Sequence, residues 1–173
     1  MIIMEKNKAI FLDRDGTINV DYGYVHEKEK LKFIDGSIEA LNLLQSKGYL
    51  LIIITNQSGV GRKMYSLNVA ESFRDYFLNE LKKKDIKING YYSCYHSPEE
   101  HCICRKPAPF LINKACTNLN IDKANSFMIG DKDSDVQCGK NANVEGLKIT
   151  EDKNLLYWAK KIILMDNEKF INK

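Results

Sequence analysis

The sequence predicts an α/β fold in which a mostly parallel sheet carries helices on both faces. Short apolar runs of strand length alternate along the chain with amphipathic stretches of helical spacing, which is typical of βα units. The run Tyr49–Thr55 is almost entirely apolar, as expected for a strand that is covered on both faces. Together these observations predict one Rossmann-like domain over residues 1–173.

Five segments are predicted to be strands because they are short and rich in apolar residues. In chain order they are Lys8–Asp13, Tyr49–Thr55, Gly90–Tyr95, Asn125–Gly130 and Val144–Ile149.

Five amphipathic stretches are predicted to be helices: Ser37–Lys47, Leu67–Lys83, Pro109–Leu119, Asp133–Asn141 and Leu155–Ile163. The first ends naturally before Gly48, and the second has apolar residues every four positions from Val69 to Leu81. Proline begins the third and acidic residues begin the fourth, where Asp133 or Ser134 is expected to cap the helix. The remaining segment, 165–173, is predicted to be a flexible tail.

The composition narrows the class of protein. Hydrophobic residues make up 44% and charged residues 28%, which excludes disorder for most of the chain. A net charge of +3 gives no argument for nucleic-acid binding. No apolar run is long enough for a membrane helix, and the start of the chain lacks a secretory pattern. We therefore expect a cytoplasmic monomer whose cysteines are thiols or metal ligands.

Chemically reactive side chains stand where the predicted strands end. Asp13, Thr55 and Asp131 stand at the ends of the first, second and fourth predicted strands. Lys106 lies downstream of the third. Because ligands of such sheets bind beyond the carboxyl ends of the strands, we expect these four side chains to share one site.

The string Asp13-Arg14-Asp15-Gly16-Thr17 carries the strongest single signal. Acids two residues apart on an extended chain point to the same side, and two such acids repel each other unless a cation lies nearby. Mg²⁺ prefers oxygen ligands of this kind. One acid can then act as nucleophile while the other transfers protons. The alternative interpretation is a turn that ends the strand.

A second cluster predicts a zinc site. Cys94, Cys102 and Cys104 lie within eleven residues together with one histidine, either His96 or His101. Three thiols and one imidazole make a closed tetrahedral set, which is typical of structural zinc. The segment 94–104 is therefore predicted to be a zinc-binding loop inserted into the domain. The alternative is that reduced cysteines cluster by chance.

The motifs FLDRDGT, TNQSG, CRKP and GDKDSD, in this order, resemble the haloacid dehalogenase superfamily of phosphohydrolases. The resemblance implies that Asp13 forms an aspartyl-phosphate and that Asp15 is the general acid and base. It implies that Thr55 binds the phosphoryl group and that Lys106 holds the nucleophile and the phosphate charge. Asp131 would complete a Mg²⁺ site with Asp13 and the backbone carbonyl of Asp15.

The chemistry of phosphoryl transfer agrees with these roles. The transition state spreads negative charge over the phosphoryl oxygens, so catalysis needs cations and fixed donors. Besides Mg²⁺, the candidates are Arg105, Lys106 and Lys132. The gaps between the first motif and the first helix, and between Thr55 and the second, are too short for a cap domain. We therefore expect a partly open site.

The longer strings DRDGTINVDYGYV, TNQSGVGR, CYH and CICRKP resemble the heptose bisphosphate phosphatase group of that superfamily. The resemblance implies removal of the 7-phosphate of D-glycero-D-manno-heptose 1,7-bisphosphate, and it favours His96 as the zinc ligand. It implies substrate contacts by Asp21, Tyr22, Gly23, Tyr24, Thr55, Asn56, Gln57, Ser58, Arg62, Arg105, Lys106 and Lys132.

Three alternatives remain open. Histidinol-phosphatases share the cysteine cluster and the CRKP string. A phosphatase of another small phosphorylated metabolite would need the same catalytic groups. A zinc-knuckle nucleic-acid-binding protein would also place aromatic and basic residues near the cysteines, although Glu99 and Glu100 oppose this interpretation.

Overall fold

The computed structural model describes residues 6–171, with side chains described through residue 168, and its centre is a five-stranded parallel sheet. The strand order is β3-β2-β1-β4-β5. The strands are β1 (Ala9–Leu12), β2 (Leu50–Asn56), β3 (Ile88–Cys94), β4 (Phe127–Gly130) and β5 (Glu145–Lys148). The predicted parallel α/β fold is therefore confirmed.

Five helices pack on this sheet. They are α1 (Ser37–Ser46), α2 (Leu67–Lys82), α3 (Phe110–Asn118), α4 (Asp133–Asn141) and α5 (Leu155–Ile171). Three single turns of 3₁₀ helix, which the sequence did not predict, lie at Lys28–Lys30, Pro98–Glu100 and Lys123–Asn125. The last turn occupies the predicted start of β4, so that strand begins two residues later than expected.

The central strand β1 shows how the sheet divides the core. Ile10 and Leu12 pack into the cluster formed with α1, α2 and α5. Ala9 and Phe11 pack into the opposite cluster, formed with α3 and α4. Because every residue of β1 is fully buried, the strand that carries Asp13 at its end is held from both faces. Such a strand gives that side chain a rigid base.

The final helix is longer than predicted. It continues past Ile163 as far as Ile171, so the predicted flexible tail of 165–173 falls mostly on helical residues and ends outside the described residues. The carboxylate of Asp166 accepts hydrogen bonds from Lys8 Nζ and from the Tyr49 hydroxyl, both at 2.8 Å. These bonds tie the second half of α5 to the start of β1 and β2. No helix among the described residues combines the length and the apolarity needed to cross a membrane.

This anchor gives a stability prediction. Asp166→Ala removes the ion pair with Lys8 and the hydrogen bond from the Tyr49 hydroxyl to the carboxylate, and we expect it to lower the free energy of unfolding by about 1–3 kcal/mol. Urea denaturation measures the change. Glu151→Ala, at an exposed acid before α5, is the control and should leave stability within about 0.5 kcal/mol. Equal stability of the Asp166 variant and the wild type would show that the end of α5 contributes nothing.

Candidate active site

A cavity of about 410 Å³ lies at the carboxyl ends of the central strands, where the sequence places the site. Its lining comes from the loops after β1, β2, β3 and β4. The residues are Asp13, Asp15, Asp21, Gly23, Tyr24, Thr55, Asn56, Gln57, Ser58, Arg105, Lys106, Lys132, Ser134 and Asp135.

Lys106 is the cation at the bottom of this cavity. Its ammonium lies 2.7 Å from Asp13 Oδ1 and 2.6 Å from Asp135 Oδ1, and it donates to the Ile54 carbonyl at 2.8 Å. Burial opposes the charge of Lys106, but the two carboxylates outweigh that penalty and raise its pKa. Lys106 is therefore a permanently charged group directly beside the predicted nucleophile.

Three carboxylates, those of Asp13, Asp131 and Asp135, lie within 4.8 Å of one another. Burial, followed by the neighbouring Asp13, raises the pKa of Asp131 to about 6. Burial and Asp135 raise the pKa of Asp13 as well, although Lys106 opposes the shift. One ammonium thus leaves the cluster short of positive charge.

The arrangement fits a divalent cation. Asp131 Oδ1 is buried and has no hydrogen-bond partner, so it is free to act as a metal ligand. Gly16 makes room for this carboxylate, since a Cβ at that position would lie 2.4 Å from Asp131 Oδ2. Asp13 and Asp131 would hold Mg²⁺, which takes oxygen ligands.

Asp135 is a site residue that sequence reasoning missed. We expected Asp133 or Ser134 to cap α4, but Asp135 Oδ2 accepts the backbone N–H of Lys132 at 3.0 Å, while Asp133 forms an exposed ion pair with Lys148. That prediction was wrong because the fully buried third acid of the GDKDSD string does the capping. With its other oxygen on Lys106, Asp135 positions the cation and the loop rather than serving as a free ligand. The cluster of three acids was the available signal, but spacing alone did not show which one faces inward.

Asp15 has a different environment from Asp13. Arg14 donates to both of its oxygens, at 3.1 Å from Nε and 2.7 Å from Nη2. Asn19 and Gln57 donate to them as well, at 2.9 and 3.0 Å. Arg14 is itself only 2% exposed, so this is a buried ion pair. Arg14 was not singled out from the sequence, where its place inside the motif was the only signal.

The side chain of Asn56 fixes the segment that carries Lys106. Its Oδ1 accepts from the Lys106 backbone N–H at 3.1 Å, and its Nδ2 donates to the Lys106 carbonyl at 3.3 Å. Thr55 is buried, and its hydroxyl accepts from Gln57 Nε2 at 2.8 Å. The end of β2 therefore lies beside the phosphate site that the sequence predicted for Thr55.

The mouth of the cavity carries further cations. Lys132 Nζ lies 3.2 Å from Asp21 Oδ2, which joins the loops after β4 and β1. Arg105 lines the cavity, and its Nη1 is buried without a partner, so it has a donor to offer a ligand.

Two predicted substrate contacts lie farther out. Gly23 and Tyr24 line the cavity, whereas Tyr22 is 56% exposed and does not belong to the lining. Arg62 lies outside the lining as well, 3.5 Å from Glu99 in a partly exposed ion pair. The structure thus brings the other predicted contacts together and leaves these two at the periphery.

Four side chains converge in the segment after β3. The sulfurs of Cys94, Cys102 and Cys104 are 3.1–3.5 Å apart, and His96 Nδ1 lies 3.3 Å from Cys104 Sγ and 3.7 Å from Cys94 Sγ. His101 does not belong to this group, because it ends the following 3₁₀ turn with a left-handed φ of 46°. The donor set therefore fits the predicted zinc ligands with His96.

Backbone contacts couple this cluster to the cavity. The Gln57 N–H donates to the Cys94 carbonyl at 2.7 Å, and the Gly61 N–H donates to the Tyr95 carbonyl at 2.9 Å. A Cβ at Gly61 would lie 2.4 Å from the Ser97 nitrogen, so glycine permits this close approach. The loop after β2 thus rests directly on the cysteine segment, and this loop and the residues that directly follow the segment contribute to the walls of the cavity.

Comparisons with known proteins agree with this geometry. Residues 103–162 match the family model described as HAD-hydrolase-like. The chain is 44% identical over 158 residues to the D-glycero-beta-D-manno-heptose-1,7-bisphosphate 7-phosphatase of Pasteurella multocida, covering 84% of this chain and 86% of that protein. The enzyme of the same name from Helicobacter pylori is 48% identical, covering 82% of this chain and 83% of the relative.

A solved structure shares the fold. The D,D-heptose 1,7-bisphosphate phosphatase of B. bronchiseptica, complexed with magnesium and phosphate, has a TM-score of 0.83 and 22% identity, covering 91% of this chain and 99% of that one. The family model, the sequence identities and the coverage together show the family to which the chain belongs. The chain belongs to the HAD-like hydrolases, in the family of the D-glycero-beta-D-manno-heptose-1,7-bisphosphate 7-phosphatases.

Proposed function

We propose that this chain is a Mg²⁺-dependent phosphatase that removes the 7-phosphate of D-glycero-beta-D-manno-heptose 1,7-bisphosphate. The observation that carries the proposal is the buried Lys106–Asp13 pair beside Asp131, at the bottom of a cavity lined by further cations. Identity of 44–48% to relatives of that name supports the substrate. The same residues support phosphatase chemistry over the zinc-knuckle alternative.

Asp13 is the proposed nucleophile. Its free carboxylate oxygen attacks phosphorus, a P–O bond to Asp13 forms, and the bond to the sugar oxygen breaks. Lys106 holds the other oxygen of Asp13 at 2.7 Å and so fixes the direction of attack.

Asp15 is the proposed general acid and base. It gives a proton to the departing sugar oxygen and later takes one from the water that hydrolyses the aspartyl-phosphate. Arg105 and Lys132 line the cavity where phosphoryl charge develops, and Thr55 offers a hydroxyl there. Mg²⁺, held by Asp13 and Asp131 with the Asp15 carbonyl as a further proposed ligand, supplies positive charge for the phosphoryl oxygens.

We also propose a structural Zn²⁺ bound by Cys94, His96, Cys102 and Cys104. Four protein ligands leave no open position, so the metal stabilises the loop and performs no chemistry. Since Arg105 and Lys106 directly follow Cys104, order in this loop fixes the position of two active-site cations. None of the five cysteines forms a disulfide, which fits a proposed cytoplasmic location.

A substrate panel tests the proposed function. Phosphate release should be fastest with the beta anomer of the heptose 1,7-bisphosphate when Mg²⁺ is present, and the 7-phosphate should be the one lost. The panel includes the alpha anomer, histidinol phosphate and other sugar phosphates, and kcat/KM is compared. A higher kcat/KM for histidinol phosphate would overturn the substrate assignment.

Asp13→Asn tests the nucleophile. An amide cannot form the acyl-phosphate, so we expect kcat to fall by more than about 10³-fold. The fold should persist because Lys106 keeps its ion pair with Asp135, and the loss of one clustered acid relieves repulsion. The control is Asp133→Asn, the same change at an exposed acid, which should retain wild-type kcat. Near-wild-type turnover by Asp13→Asn would contradict the nucleophile's role.

The histidines beside the cysteine cluster test the zinc proposal. His96→Ala should lower bound zinc, the melting temperature and activity together, while His101→Ala should retain all three. Zinc content is measured by metal analysis and stability by thermal unfolding in Mg²⁺. Loss of zinc from His101→Ala would contradict the choice of ligand. A zinc-free wild type with unchanged activity and melting temperature would contradict the structural role.

A further inference from the structure

Both N–H groups of the Gln57 amide and one lone pair of its oxygen are engaged by the protein. Its Nε2 donates to Asp15 Oδ2 at 3.0 Å and to the Thr55 hydroxyl at 2.8 Å, and its Oε1 accepts from Arg14 Nη2 at 3.1 Å. Because a guanidinium only donates and a carboxylate only accepts, the orientation of the amide is fixed by its neighbours. Gln57 is also buried, and both of its N–H groups are directed at protein atoms.

Arg14 is fixed independently of Asp15. Its Nη2 donates to the Val25 carbonyl at 2.7 Å, its Nη1 donates to the Tyr91 hydroxyl at 3.3 Å, and its guanidinium carbon lies 4.9 Å from the centre of the Phe73 ring. These contacts come from the loop after β1, from β3 and from α2. The guanidinium is therefore a rigid support whose position does not depend on the carboxylate that it holds.

Each oxygen of Asp15 receives two donors, but the distances differ. Oδ2 receives the short bond from Arg14 Nη2, at 2.7 Å, and the bond from Gln57. Oδ1 receives Asn19 Nδ2 at 2.9 Å and the longer Arg14 Nε contact at 3.1 Å. All four donors belong to buried side chains, so both oxygens of Asp15 are held by the protein interior.

We propose that Arg14 and Gln57 are positioning residues that hold Asp15, so that its carboxyl group keeps one position for the leaving oxygen and then for the attacking water. This inference rests on the proposed function, and it assigns Gln57 to positioning rather than to substrate contact. Through Thr55, the same amide links the acid to the phosphate site. The general acid and the phosphoryl group are thereby held in a fixed position relative to each other.

Substrates whose leaving groups differ in basicity distinguish a misplaced general acid from a general loss of activity. A sugar alkoxide needs a proton as it departs, whereas the p-nitrophenolate of p-nitrophenyl phosphate leaves as an anion. For Arg14→Lys, which keeps the charge but loses the planar fork, we expect kcat/KM on the heptose bisphosphate to fall about 10–100-fold. On p-nitrophenyl phosphate the fall should stay below about 3-fold. Inhibition by inorganic phosphate should be unchanged.

Gln57→Met is the second variant, because it removes the amide bonds while leaving the Arg14–Asp15 pair and the side-chain volume. It should show the same dependence on leaving group, with a smaller loss. The control is Tyr49→Phe, which removes a hydroxyl bonded to Asp166 on the far side of the domain. Its kcat/KM should match the wild type on both substrates. All variants are assayed well below their melting temperatures.

Equal losses on the two substrates, or no loss on the sugar phosphate, would overturn the positioning role. If the wild type does not hydrolyse the heptose bisphosphate but hydrolyses another primary alkyl phosphate, only the substrate assignment is overturned. The loss of kcat/KM in Arg14→Lys is then compared between that alkyl phosphate and p-nitrophenyl phosphate. A wild type inactive on every phosphate overturns both proposals.

Discussion

One buried ammonium group organises the active site. Lys106 lies between Asp13 and Asp135 at 2.7 and 2.6 Å, with Asp131 in the same cluster. Burying so many carboxylates is costly unless cations neutralise them, and one lysine does so only in part. The remaining negative charge is what makes the site receptive to a divalent cation. The charge imbalance that costs folding energy is thus the property that would attract the Mg²⁺ that we propose.

The lysine must be held from outside, because the loop that carries it has little core of its own. Asn56 brackets its backbone, the Ile54 carbonyl accepts from its ammonium, and the cysteine segment precedes it directly. The loop after β2 rests on that segment through Gln57 and Gly61. The contacts that stabilise the loop are therefore the same contacts that fix the position of Lys106. They come from the ends of two neighbouring strands, β2 and β3.

Much of the fold was predictable because it follows from local periodicity. Strand and helix order came from alternating apolar runs, and α4 has the predicted bounds. The end of α5 was not predictable, because Asp166 binds Lys8 and Tyr49 across more than a hundred residues of sequence. Motif order predicted that Asp13 and Lys106 would share a site. Which acid of GDKDSD faces inward depends on tertiary burial, and so Asp135 was missed.

The two acids of the first motif show how one short string yields two chemical roles. Asp13 ends a strand buried on both faces and has a lysine on one oxygen, which leaves the other free to attack. Asp15 stands two residues later, where Gly16 turns the chain with a φ of 82°, and both of its oxygens accept hydrogen bonds from fixed side chains. A nucleophile needs an exposed lone pair, whereas a proton carrier needs a constant position through two steps. The different partners of the two carboxylates, rather than the residue type that they share, therefore suit them to the two roles that we propose, attack and proton transfer.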